Sequence, residues 1–202
     1  PGSDAIYQRS SKSLALDSRA DFFVKSGRAV VYPIYKGTYE RGSGLNSDYP
    51  SQTSLYREHV IAWAKDIGRS IDYLETRNDI NAKRIAYYGV SWGGAMGAIM
   101  PAVESRFKAC VLFVAGLEFQ RALPEVDAIN FVTRVKIPVI MLNGKYDHFF
   151  PVETSQKPMF ALLGTTPAQK KHVVYPTGHF VPRNQVIKES LDWLNKYLGP
   201  VK

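Results

Sequence analysis

Residues 89–93 read Gly89-Val90-Ser91-Trp92-Gly93, a G-x-S-x-G pentapeptide. A serine hydroxyl is a weak nucleophile until a neighbouring base takes its proton. The flanks give the motif its weight. An apolar run, 84–90, leads in, and a small-residue, Ala- and Met-rich stretch, 91–103, leads out. Strand, sharp turn and helix is the setting in which such a serine stands clear of a sheet edge. Gly89 and Gly93 leave room for strand and helix to pack closely, and Gly94 continues the small surface. Backbone N–H groups opening that helix point to where an oxyanion would form, and Trp92, directly after the serine, supplies one of them. The chemistry predicted is acyl transfer.

A serine on such an elbow takes its partners in the chain order serine, acid, histidine. The chain has four histidines. His59 precedes the serine, on a helical stretch. His172 begins a strand beside Lys170 and Lys171 and is expected to be solvated. His148 directly follows the best acid, too close to be the base that acid orients, although it is a candidate to line the site. His179, in Pro176-Thr177-Gly178-His179-Phe180, lies between the last strand and the last helix and is the expected base. The acid belongs just past the preceding strand, where residues 143–151 hold one carboxylate, Asp147. Glu153 is the fallback, but it opens the next helix and reads as a first-turn charge.

To bring these groups to one rim, the chain needs alternating strands and helices. Residues 29–35, 84–90, 108–115, 137–142 and 171–175 read as strands, several of them apolar on nearly every position, as in a parallel sheet covered on both faces. Helices are predicted at roughly 14–26, at the stripe Val60, Trp63, Ala64, Ile67, Ile71 and Leu74, and at 91–103, 152–163 and 184–198. This predicts an α/β fold: a three-layer α/β/α sandwich with a mostly parallel sheet and right-handed crossovers. The connection 116–134 is too short for a large lid, so an open site is expected. Tyr39, Trp92, Phe119, Leu123, Phe149 and Phe150 are candidates for an apolar substrate wall, or equally for packing. Tyr39 and Arg41 follow the C-terminal end of a strand, the side where α/β sheets bind ligands.

At 202 residues, with 45% hydrophobic and 22% charged, the chain reads as one globular domain, 1–202, and not as a disordered or collagen-like polymer. No apolar run approaches the roughly 20 residues that cross a bilayer. No signal peptide is visible, so a cytoplasmic location and no membrane partner are expected. One cysteine, Cys110, sits in an apolar run and reads as a buried structural thiol. The net charge of +8 is scattered, without the motifs of nucleic-acid binding or zinc ligation. No nucleic-acid partner, metal or cofactor is expected.

Taken together, GVSWGG, NGKYDHFFP and PTGHF resemble, in this order, the α/β-hydrolase superfamily, over nearly the whole chain. The closer likeness is to the dienelactone-hydrolase and prolyl-oligopeptidase-type branch. The runs YPIYKGTYERG and INFVTRVKIPVIMLNGKYD also resemble hydrolase domains at the C-terminal end of long bacterial proteins, some of them kinase-linked. That likeness implies a chain cut from a longer protein, lacking the first strands of its sheet, with upstream domains or a second copy as partners. It further implies a role for Pro1-Gly2-Ser3: in cutinase-like and related hydrolases a P-G-x turn ends the third strand, which makes Ser3 the second oxyanion donor. Two features depart from the relatives. The His-Gly-Gly-Gly oxyanion loop is absent, and Ser91 stands where dienelactone hydrolases carry a cysteine, which counts against dienelactone hydrolysis itself. The implied activity is a serine esterase acting on small carboxylic esters. The alternatives are a prolyl-oligopeptidase-type peptidase and a non-catalytic hydrolase-like binding module.

Overall fold

Two strands that are apolar at almost every position must be covered on both sides, and that requirement organises the molecule. The computed structural model describes residues 4–12, 14, 16 and 18–201. Its strands are β1 (Ile85–Val90), β2 (Phe107–Phe113), β3 (Val139–Gly144) and β4 (Lys170–Tyr175). They pair in parallel, in that order, into a four-stranded sheet. The helices are α1 (Asp4–Tyr7), α2 (Asp21–Lys25), α3 (Ser54–Glu75), α4 (Trp92–Met96), α5 (Met100–Val103), α6 (Lys157–Leu162) and α7 (Arg183–Leu198).

Strand side chains alternate between faces. Cys110 and Leu112 of β2, with Val139 and Met141 of β3, join Val60, Trp63, Ile67 and Ile71 of α3 in one core. Ala109, Val111 and Phe113, with Ile140 and Leu142, join Phe22 and Phe23 of α2 and Val186, Trp193 and Leu194 of α7 in the other. The result is a three-layer α/β/α sandwich. Cys110 is fully buried, and burial pushes its thiol well above the usual range.

Several elements differ from the sequence expectation. Residues 29–35 form no regular element, no ladder joins them to a described strand, and Val31 and Tyr32 are 42% and 43% exposed. β-branched and aromatic residues favour a strand, yet a strand also needs a partner. The helix expected at 14–26 is confined to Asp21–Lys25. Leu14 and Leu16 are exposed, whereas Phe22 and Phe23 are buried, so only the second half has a core to pack on. The single helix expected at 91–103 is two short ones. Pro101, in the first turn of α5, has no N–H to continue the ladder. Similarly, 152–163 opens as a π-turn, Val152–Gln156, before α6, which has Pro158 in its first turn. Among the described residues no helix is long and apolar enough to cross a membrane.

Candidate active site

The end of β1 is built around close approach. A Cβ on Gly89 would run into the Gly93 carbonyl, so only glycine lets strand and helix meet there. The Tyr87 hydroxyl donates to that same carbonyl at 2.6 Å. Between them Ser91 has φ 53° and ψ −112°, a left-sided conformation that a non-glycine residue adopts at a cost of about 1–3 kcal/mol. The surroundings hold it: the Ser91 N–H donates to Phe113 O at 3.0 Å, and its carbonyl accepts from Ala95 N–H at 2.9 Å. Trp92 packs edge-on against Trp63, with ring centroids 4.9 Å apart.

Past β3, Asp147 is 3% exposed. Its Oδ1 accepts the Phe149 and Phe150 N–H groups at 2.9 and 3.2 Å. These bonds fix the carboxylate and leave Oδ2 for one further donor. Past β4, the loop carrying His179 lies directly on the acid loop. Lys145 N–H donates to Tyr175 O at 2.7 Å, and Tyr146 N–H to Thr177 O at 2.9 Å. A Cβ on Gly144 would collide with the Gly178 carbonyl.

The three loops meet in one chain of hydrogen bonds. His179 Nδ1 is 2.8 Å from Asp147 Oδ2, and Nε2 is 2.9 Å from Ser91 Oγ. A carboxylate oxygen only accepts, so Nδ1 carries the proton. In the neutral imidazole Nε2 is then the acceptor, and the serine hydroxyl donates to it. The rings of Phe149 and Phe180 flank the imidazole, each with its centroid 4.8 Å away. The imidazole side chain keeps 11% exposure while the Asp147 side chain has none, so the relay opens to solvent at its serine end. Such an arrangement can transfer a proton from a hydroxyl to an imidazole whose developing charge faces a carboxylate.

The remaining candidates lie as follows. Phe149 and Phe119 are 44% and 57% exposed, whereas Tyr39 and Phe150 are 5% and 2% exposed and pack inward. Ser3 lies outside the described residues. Glu153 forms an exposed ion pair with Lys157 at 2.6 Å, one turn along. His148 stacks on Phe149, centroids 4.1 Å apart. His172 is not a solvated strand end. It is half-buried against the Phe160 ring, 5.4 Å away, and burial lowers its pKa below the usual histidine range. Lys171 alternates to the other face of β4, while Lys170 shares the Phe160 ring with His172, so adjacent lysines did not mean a solvated histidine. Among the described residues no group of three or more potential metal ligands comes together.

Supporting groups went unread in the sequence. Gln156, fully buried, donates to Gly144 O at 2.9 Å and Phe150 O at 2.7 Å, tying the acid loop together. Ser155 Oγ donates to Leu117 O at 2.7 Å, and Asn143 Nδ2 to Ala115 O at 2.8 Å. Asn143, a polar residue closing an apolar strand, was the available signal. Val114, at φ 51°, is a β-branched residue in left-handed backbone beside the elbow.

Residues 17–186 match the Dienelactone hydrolase family. Among curated proteins, the chain is 28% identical over 191 residues to the alpha/beta hydrolase domain-containing protein WAV2 of Arabidopsis thaliana, covering 78% of this chain and 59% of that one. It is 25% identical over 184 residues to the acetyl esterase Axe7A of Xylanibacter ruminicola, covering 78% and 40%. Among solved structures, a cold-adapted esterase from an Arctic intertidal metagenomic library superposes with a TM-score of 0.58 at 26% identity, covering 70% of this chain and 59% of that one. The chain thus spans roughly half the length of the curated relatives it matches.

Proposed function

Since this chain belongs to the dienelactone hydrolase family, we propose that it is a serine hydrolase that cleaves carboxylic esters through an acyl-enzyme intermediate. The observation that carries the reading is the continuous relay Ser91–His179–Asp147, at 2.9 and 2.8 Å. Ser91 Oγ attacks the ester carbonyl as His179 Nε2 takes its proton. Asp147 holds the imidazole tautomer and stabilises the imidazolium. Charge developing on the carbonyl oxygen is met by the Trp92 backbone N–H. Collapse of the tetrahedral species expels the alcohol, protonated by His179. Water, deprotonated by the same imidazole, then releases the acid. A serine in place of a cysteine favours esters over a dienelactone, and the acetyl esterase relative supports short acyl groups.

Phe149, exposed beside His179, and exposed Phe119 are the proposed substrate contacts, while buried Phe150 packs behind His179 and Tyr39 is buried. Turnover of p-nitrophenyl esters of graded chain length tests the reading. The expected result is highest kcat/KM on acetate and butyrate and loss of turnover in Ser91→Ala. Unchanged turnover in that variant would refute it.

A further inference from the structure

A second serine–histidine pair lies outside this site, where the loop 36–53 crosses α3. His59 is 1% exposed, while Ser43 is exposed. The imidazole is confined on both sides. A Cβ on Gly37 would approach His59 Cδ2 to 3.0 Å, and the Trp63 ring centroid lies 6.1 Å away. His59 Nδ1 is 2.7 Å from the Leu55 carbonyl, one helical turn back. A carbonyl oxygen only accepts, so Nδ1 carries the proton and Nε2 of the neutral ring is an acceptor. Ser43 Oγ sits 2.5 Å from Nε2, and its hydroxyl therefore donates. This is the polarity of the Ser91 relay, with a backbone carbonyl in place of the carboxylate. Ser43 is exposed and lies between Gly42 and Gly44; a Cβ on Gly44 would meet nothing within 4 Å, and one on Gly42 would come within 3.3 Å of Arg9 Nη1.

We propose that Ser43 is a second nucleophilic serine, with His59 as its general base and the Leu55 carbonyl orienting that base, and that it takes acyl groups from small activated carboxylic esters. Ser43 Oγ bonds to the acyl carbon as its proton passes to His59 Nε2. The bond from that carbon to the alcohol oxygen then breaks, and the departing alkoxide takes the proton from Nε2. The products are O-acyl-Ser43 and the free alcohol, with the imidazole restored. No helix follows Ser43 to aim amide donors at the oxyanion. Each such donor is worth about 10²–10³ in rate, so acylation is stoichiometric and slower than at Ser91 by that factor or more.

The test is independent of the role of Ser91, because it uses Ser91→Ala enzyme. That protein is treated with p-nitrophenyl acetate, and acetylated peptides are mapped by mass spectrometry. Ser47, an exposed serine of the same loop, serves as internal control. The proposal expects acetylation at Ser43 about 10²-fold faster than at Ser47, the worth of a positioned base, and a loss of similar size on adding His59→Gln. Adding Ser43→Ala abolishes the adduct. Equal acetylation at Ser43 and Ser47 overturns the proposal. So does an unchanged Ser43 rate in a His59→Gln protein that keeps the parent circular-dichroism spectrum. Should His59→Gln unfold, the ratio of Ser43 to Ser47 in the folded protein decides the matter alone.

Discussion

Ser91 and Ser43 both donate to an imidazole nitrogen, at 2.9 and 2.5 Å, and both histidines are oriented through Nδ1. By that bond alone the exposed loop looks the better prepared. Everything around the bond differs. Ser91 is held in strained backbone by a glycine-tight strand–helix junction, its base is backed by a buried carboxylate, and its loops are tied by Gln156, Ser155 and Asn143. Ser43 sits on a solvent-facing loop, and its base leans on a helix carbonyl. Nucleophile and base are the inexpensive part of such a site. The elbow, the acid and the loop packing separate turnover from slow, single acylation.

The sharpest break between the two pairs is mutational. Ser91→Ala and His179→Ala are each expected to lower kcat on p-nitrophenyl acetate by about 10⁴-fold or more. Ser43→Ala is expected to leave it unchanged, so a comparable loss there would erase the distinction. Asp147→Asn comes next, with a loss of about 10⁴-fold from the wrong imidazole tautomer. A near-normal rate in that variant would mean that the carboxylate does not set its site apart from one resting on a carbonyl.

Two glycines offer a gentler contrast. Gly144→Ala forces a methyl into the Gly178 carbonyl and separates the acid and base loops, with an expected loss of about 10²-fold in kcat. Gly44→Ala meets open space at φ 77° and costs about 1 kcal/mol of backbone strain, read as a lower Tm with unchanged kcat.

The smallest effect involves Glu118, a carboxyl that belongs to neither serine–histidine pair. Burial, with the Asp48 charge adding to it, raises the Glu118 carboxyl from 4.5 to about 7. Between those values the folded protein binds the proton and the unfolded chain does not. Stability therefore falls as pH rises across that window and levels above it. Glu118→Gln is expected to flatten the decline of Tm between about pH 5 and about pH 8 relative to the parent. An identical slope in both proteins would show that Glu118 titrates normally.

How much of this was readable depended on whether the signal was local. The pentapeptide around Ser91, the carboxylate after an apolar strand and the histidine before the last helix all carry their context within a few residues, and the structure brings those three side chains together. The double burial of β2 and β3 was equally plain, because it leaves a continuous apolar run. Residues 29–35 failed because a ladder needs a partner that a segment cannot announce. Pro101 and Pro158 did mark the breaks in two helices, but the residues around them continued a helical pattern. Val114 left no trace at all: nothing in a valine foretells positive φ, which the packing beside the elbow imposes. His59 was legible as a residue on a helix, yet its serine lies 16 positions away on a loop with no periodicity to place it.

The esterase reading rests on the covalent bond forming at Ser91. Enzyme turning over p-nitrophenyl acetate, quenched in acid and mapped by mass spectrometry, reads that bond directly. The account predicts acetyl on Ser91 in the parent enzyme at the earliest time points of turnover, ahead of any on Ser43. Turnover with no acetyl on Ser91 at any time point would contradict it.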